Sequence, residues 1–268
     1  MPQYAEVICK LTPENQPLLF HLADRIRSRK TNRILGGFLT FSAGAINAGG
    51  FLAVGQYTSH MTGIISSVAD NLALSKFRLA IAGILAFVSF VSGAASTSLF
   101  INWARRRRLH SEFAISIALE AILLLVFGLI GANLNVYLEL FIPTTVVLLT
   151  YIMGLQNAII TKISKAEIRT THMTGVITDL GIELGRLLYW NRHKAIHGLG
   201  KVTADRRKLV IHATILGLFI TGAIVGALSF KKIGFLTTVP ISVAMLLIAV
   251  PPLWRDFSGN RFLLISRH

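Results

Sequence analysis

Six long apolar stretches constrain what this chain can fold into more than any other feature of its sequence. A helix needs about 20 mostly apolar residues to cross the roughly 30 Å hydrocarbon layer of a membrane. Charged residues make up only 15% of the chain and apolar residues 53%, whereas an average soluble domain is roughly 25% charged. The sequence therefore predicts an all-α integral membrane protein. Its candidate spans lie at approximately residues 34–55, 79–101, 113–133, 140–161, 209–230 and 234–254.

The basic residues predict how these spans are oriented, because Lys and Arg in short loops stay on the cytoplasmic side. With six spans and the N-terminus inside, all but four of the 27 Lys and Arg residues fall in cytoplasmic segments. The four exceptions are Lys76, Arg78, Lys231 and Lys232. An eight-span alternative would place nine basic residues outside, among them the run 105–108. The distribution favours six spans with both termini in the cytoplasm.

Polar segments flank the membrane domain of residues 34–254. Residues 1–33 and the tail 255–268 are both predicted to be cytoplasmic. In the first segment Leu18 and Leu22 lie at helical spacing ahead of a cluster of arginines. This pattern suits an amphipathic helix on the anionic inner leaflet. It suits an ordinary basic lead-in equally well, so both interpretations stay open.

One motif occurs twice. GAINA followed by TSHMTG lies within residues 44–63, and GLQNA followed by TTHMTG lies within residues 154–175, at offsets of 110 and 112. A weaker likeness relates residues 92–94 to residues 221–223. Matching strings at nearly constant offset indicate an internal duplication.

The duplication has a geometric consequence. It predicts two repeats of three spans, at about residues 34–133 and 140–254. Because three is odd, the second repeat would be inverted relative to the first in the membrane. Many secondary transporters are built from such inverted repeats, with the binding site at the repeat interface near the midplane.

The repeated Thr-Gly motif opens two segments, 58–75 and 170–190, that carry polar and ionisable side chains among apolar ones. Such side chains are costly when they face lipid, so each segment is predicted to be re-entrant or interfacial. A helix that begins at the motif would direct free N–H groups towards a ligand. The candidate substrate-binding residues are Asn47, His60, Thr62, Gly63, Gln156, Asn157, His172, Thr174, Gly175 and Asp179.

Three carboxylates are candidates for proton or ion coupling: Asp70, Glu120 and Glu183. Glu120 is the most deeply placed of them, and an intramembrane carboxylate is by default a functional candidate. Structural roles are the alternatives. Glu183 can pair with Arg186 one turn later, and Asn47 can simply bond a neighbouring helix.

Soluble-enzyme and cofactor motifs are missing from the sequence. It contains no Walker loop, GxSxG or HExxH. His193 and His197 have no third ligand nearby, and Cys9, the single cysteine, has no disulfide partner within the chain. The basic clusters have no interleaved aromatics, so nucleic-acid binding is not expected. The chain is predicted to be no enzyme and to need no cofactor or metal; its expected partners are lipid and a small solute or ion, with a homo-oligomer left open.

These motifs resemble the YoaK-like family of bacterial multi-pass membrane proteins, whose function is not established. The resemblance runs from about Gly37 to Pro251. The most specific part is GLQNA at residues 154–158, followed by Thr171, MTG at 173–175, TDL at 178–180 and Gly185-Arg186. In its first half the chain has Asn47-Ala48 and Thr62-Gly63-Ile64 where the family usually has Asp-Ala and Thr-Gly-Asn. The resemblance implies a location in the bacterial inner membrane and names no reaction.

Two functions fit these features. The first is a small transporter or permease for a small solute or ion, in which one repeat moves against the other around the Thr-Gly segments. The alternative is a non-transporting scaffold or sensor that binds a protein or lipid partner through the basic inner face.

Overall fold

A computed structural model describes residues 22–23, 29–132, 138–163, 173–190 and 201–265. Within these ranges the secondary structure is helical, without strands. The helices are α1 (Arg29–Val54), α2 (Met61–Ala73), α3 (Phe77–Arg106), α4 (Ala114–Ala132), α5 (Leu138–Ile163), α6 (Met173–Leu188), α7 (Arg206–Ile233) and α8 (Thr238–Ile265), with a 3-10 turn at Gly234–Thr237.

Each of the six predicted apolar stretches coincides with one of the longer helices, in order α1, α3, α4, α5, α7 and α8. Four helical runs are long and apolar enough to cross a membrane by length and composition, and α4 contains a shorter apolar helix, Ala114–Leu129. The runs are Thr31–Val54, Phe77–Arg106, Pro143–Ile163 and Arg206–Ser258. The prediction of an all-helical membrane protein is confirmed.

The last of these runs consists of two helices. Asp205 caps the start of α7, where its side chain accepts hydrogen bonds from Arg207 N at 3.0 Å and Lys208 N at 3.2 Å. The helix ends at Gly234, whose φ of +62° is a left-handed conformation that glycine adopts without strain. The chain then continues as α8, which extends through Ile265, beyond the predicted end of the last span at residue 254.

Two pairs of helices pack in parallel. On the α1–α7 pair, Gly37 lies against Leu218, and about three turns later Gly49 lies against Phe230. On the α3–α5 pair, the Ser89 hydroxyl donates to the Val147 carbonyl oxygen at 2.6 Å, and the Thr97 hydroxyl donates to Leu155 O at 3.2 Å. In both pairs, residue numbers at successive contacts increase along both helices, so the two helices run in the same direction.

Two other pairs are antiparallel. Between α1 and α5, Gly50 lies against Leu149, while the Gln156 side-chain amide donates to the Leu39 carbonyl oxygen at 3.2 Å. Between α4 and α8, Gly128 lies against Thr238, and Asp256 accepts bonds from the residues just before α4. Helices α1 and α7 therefore point one way, and α3 and α5 point the other way.

The buried core is shared by α1, α4, α5 and α8, whereas large apolar side chains cover the outside of the bundle. Leu99 is 68% exposed and Leu129 70% exposed, as expected for residues that face lipid. Most of the N-terminal segment 1–33 lies outside the described residues. Of that segment, Leu22 and Ala23 are described and are buried in the core.

Candidate functional site

A cavity of about 640 Å³ lies where the start of α2 and the start of α6 meet α1 and α7. Its polar groups come from Asn47, Tyr57, Ser59, His60 and Thr174. The remainder of the lining consists of Ala48, Phe51, Leu52, Met173, Phe219, Ala223, Ile224 and Ala227. This combination resembles a small-molecule site, which is typically apolar with a few polar groups that fix the orientation of a ligand.

The first copy of the repeated motif shapes one wall of this cavity. Ser59 Oγ donates a hydrogen bond of 2.8 Å to Asn47 Oδ1, which ties the loop before α2 to α1. His60 is the last residue before α2, and its imidazole covers the first turn of that helix. A Cβ at Gly63 would collide with the ring, so glycine lets the imidazole lie over this turn. The first copy of the motif thus reaches the cavity through Ser59 and His60.

The second copy of the motif contributes the start of α6. Met173 and Thr174 reach the cavity beside Phe219, in the middle of α7. Further along, α6 runs back towards the beginning of α7, where Glu183 accepts a hydrogen bond from Asp205 N at 2.8 Å. The two copies of the motif are 112 residues apart in sequence, and the fold brings them to one cavity.

A second, polar pocket of about 420 Å³ lies between α6 and the first turns of α7. Glu183 is buried there, and its Oε1 accepts from Arg186 Nη1 at 2.8 Å, the local ion pair recognised as the structural alternative from the sequence. Asp179 lines the same pocket and lies 3.9 Å from His212 Nε2. Asp179 and Glu183 therefore share a face of α6, but they lie apart from the larger cavity.

The other candidate residues within the described ranges do not line the larger cavity. Thr62 is exposed on α2, Gly175 follows Thr174 on α6, and Asp70 is exposed near the far end of α2. Asn157 Nδ2 bonds Met153 O at 3.1 Å within its own helix. Gln156 and Glu120 are both fully buried in the helix bundle. His172 falls outside the described residues.

The apolar wall of the cavity was not predicted from the sequence. Phe51 stacks on Tyr57 with ring centroids 4.7 Å apart, and Phe219 faces them from α7. In a membrane helix an apolar residue suits lipid as well as a cavity, so composition alone could not single these residues out. The aromatic pair lies between the two elements of the first motif copy, residues 44–48 and 58–63, and this position is a local signal that could have indicated it.

The fold and the cavity define a class: a multi-pass helical membrane protein with an open cavity beside a duplicated motif. Residues 35–251 match the family described as "Protein of unknown function (DUF1275)", and the chain belongs to that family. It is also 26% identical over 194 residues to the UPF0700 transmembrane protein YoaK of Bacillus subtilis (strain 168), an alignment that covers 71% of this chain and 80% of the relative. No solved structure matches the chain. The predicted YoaK-like membership is confirmed.

Proposed function

We propose that this protein is a small transporter, built from two inverted repeats, that binds a small solute in the cavity between α1, α2, α6 and α7. We further propose that it crosses the bacterial inner membrane six times, with both termini in the cytoplasm, and that it has no catalytic role. The observation that carries the proposal is the meeting of the two motif copies at one cavity.

The helix directions support six crossings. Because α1 and α3 point in opposite directions, the segment between them must return to the side on which α1 ends. The same reasoning applies to α5 and α7. At 1.5 Å per residue, the 13 residues of α2 span about 20 Å and the 16 residues of α6 about 24 Å, less than the roughly 30 Å hydrocarbon layer. Both helices fit the expected re-entrant or interfacial segments.

The packing contacts support the duplication. A Cβ at Gly44 would clash with the Phe219 carbonyl oxygen, and a Cβ at Gly154 would clash with that of Phe90. Gly154 follows Gly44 by the motif offset of 110, and Phe219 follows Phe90 by the offset that relates residues 92–94 to 221–223. Equivalent glycines therefore make equivalent contacts in the α1–α7 and α5–α3 pairs.

The cavity chemistry indicates a class of solute. Among the described residues its lining carries no Asp, Glu, Lys or Arg, but it offers an amide, three hydroxyls, an imidazole and the start of two helices. The facing wall is aromatic and aliphatic. A small solute that combines hydrogen-bonding groups with an apolar part fits this lining better than a hydrated metal ion.

Cysteine accessibility tests the proposal. In a Cys9→Ser background, Thr174→Cys should react with a membrane-impermeant thiol reagent in right-side-out and in inside-out vesicles, because alternating access opens the cavity to each side in turn. Ser92→Cys, on the exposed face of α3, is the matched control and should stay unreactive from both sides. Labelling of Thr174→Cys from one side alone, under all conditions, would refute alternating access.

The alternative function, a scaffold or sensor, is favoured by one observation. Arg106, the last residue of α3, and the following Arg107 and Arg108 are exposed, and the first residues of α7 are also exposed and basic. Such a surface suits anionic headgroups of the inner leaflet or an acidic partner. One-sided labelling at Thr174, together with a stoichiometric partner that copurifies in mild detergent, would support this function.

A further inference from the structure

Glu120 is a carboxylate enclosed in the helix bundle. It lies on α4, is 0% exposed, and neither of its carboxylate oxygens has a hydrogen-bond partner among the described residues. Its neighbours on the same helix, Ile117, Ala121 and Leu124, belong to the apolar core. Burial of a charged group without a partner costs roughly several kcal/mol in a protein. In a fully apolar medium the cost would be on the order of tens of kcal/mol.

Other oxygen atoms without hydrogen-bond partners lie in the same layer of the bundle. The Gln156 side chain uses its N–H₂ group to bond α1, which leaves its Oε1 without a partner within the described ranges. The hydroxyl of Ser116, one turn before Glu120, is also buried and has no hydrogen-bond partner among the described residues. The contacts of Gly128 and Asp256 fix the α4–α8 register, and interpolation between them places Glu120 about one turn from Ser242, whose hydroxyl is likewise unpartnered and buried.

No fixed positive charge faces Glu120 from the described helices packed against α4. Helix α8 has no ionisable residue before Arg255, and α3 has none between Arg78 and Arg105. Between Glu139 and Lys162, α5 carries only Tyr151, whose hydroxyl donates to Ser96 Oγ at 2.8 Å. The carboxylate must therefore be neutralised by something other than a side chain of these helices.

We propose that Glu120 is a proton-binding site within the membrane layer. The carboxylate takes up one proton to become a neutral carboxylic acid, whose O–H donates to one of these unpartnered oxygens. Gln156 Oε1 is the candidate acceptor, because the adjacent Leu155 belongs to the same core cluster as Ala121. Release returns the proton to water when the bundle opens. Coupling of this proton to solute movement rests on the proposed transport function. Proton binding by Glu120 does not depend on that function.

The proposed site joins the two repeats, because Glu120 lies in the first repeat and Gln156 lies in the second. The motif offset of 110 places Ile46 of the first half where the second half has Gln156. The first repeat therefore has no amide acceptor at the position equivalent to Gln156. A proton held between the two repeats can bias the movement of one repeat against the other.

Infrared spectroscopy of the full-length protein in lipid nanodiscs tests proton binding directly. At about pH 8 ordinary carboxyl groups, with reference pKa values near 4, are ionised. Wild type should still show the carbonyl stretch of a protonated carboxylic acid, and Glu120→Gln should lose that band. Glu112→Gln is the matched control, because Glu112 pairs with Arg105 and should leave the band intact.

Several outcomes would overturn the proposal. Absence of the band from wild type would mean that Glu120 is ionised, a result that does not depend on whether any variant folds. A rise in the melting temperature of wild type with Na⁺ at constant ionic strength and pH, lost in Glu120→Gln, would assign the layer to a metal cation instead of a proton. Persistence of the band in Glu120→Gln would place the proton on another carboxyl group.

The role in transport has its own readout. Labelling of Thr174→Cys from the cytoplasmic side is measured relative to an exposed reference cysteine, because thiolate formation itself varies with pH. This ratio should change with pH in the wild-type background and become independent of pH with Glu120→Gln. If the infrared band is present while labelling is one-sided at every pH, the proton site stands and the transport function fails. If the band is missing while labelling is two-sided, the transport function stands and the proton site fails.

Discussion

The close contact between α1 and α7 allows a quantitative test at Gly222. A Cβ at this position would clash with the Phe41 carbonyl oxygen, because the two atoms would lie closer than 3.4 Å, the distance at which ordinary van der Waals contact begins. To make room for Gly222→Ala, the two helices must separate by about 1 Å. A gap of roughly that size forfeits a quarter to a half of each van der Waals contact across the pair. Overpacking of this kind typically costs about 1–3 kcal/mol.

The matched control is Gly217→Ala on the same helix. Nothing lies within 4 Å of a Cβ built at Gly217, so the substitution adds a methyl group in open space and should be neutral or slightly stabilising. For chains of 150–250 residues, 1 kcal/mol corresponds to about 2–4 °C in melting temperature. In the same detergent, Gly222→Ala should therefore melt at least about 2 °C below Gly217→Ala. Equal melting temperatures would refute the parallel α1–α7 contact and, with it, the inference of helix directions.

The remaining predictions concern topology, the motif and the ion pair. A reporter enzyme that is active only outside the cytoplasmic membrane should stay silent when inserted after Arg108; activity there would remove the six-span topology and the inverted repeat. Thr174→Val removes a hydroxyl from the cavity at nearly constant volume, so it should impair two-sided accessibility, measured with a cysteine at Ser59, more than expression; equal loss of both would indicate a packing role. Glu183→Gln should weaken the attachment of α6 to the start of α7, because it removes the charge from the side chain that accepts the Asp205 N–H bond and pairs with Arg186 within α6; its melting temperature should fall by about 2 °C or more, since hydrogen bonds to charged groups contribute about 1.5–3 kcal/mol, and an unchanged value would show that these contacts of Glu183 do not hold α6.

The sequence alone predicted the helices and the family. Each apolar stretch became a helix because a chain in lipid must satisfy its backbone hydrogen bonds internally, and this requirement leaves helices as the local solution for stretches of such length. The repeated motif indicated Asn47, His60 and Thr174, and all three line the cavity. A string that recurs at nearly constant offset carries information that composition does not.

Only the tertiary structure decided how these elements meet. No local pattern indicated that α1 packs in parallel with α7 or that α6 returns along it, because these contacts join residues far apart in sequence. Nor could the sequence separate Phe219, which lines the cavity, from its exposed neighbour Ile220. In water a buried apolar face stands out against a polar one, whereas lipid accepts apolar residues on every face of a helix. The positions of the cavity wall and of Glu120 within the bundle were therefore set by packing between helices.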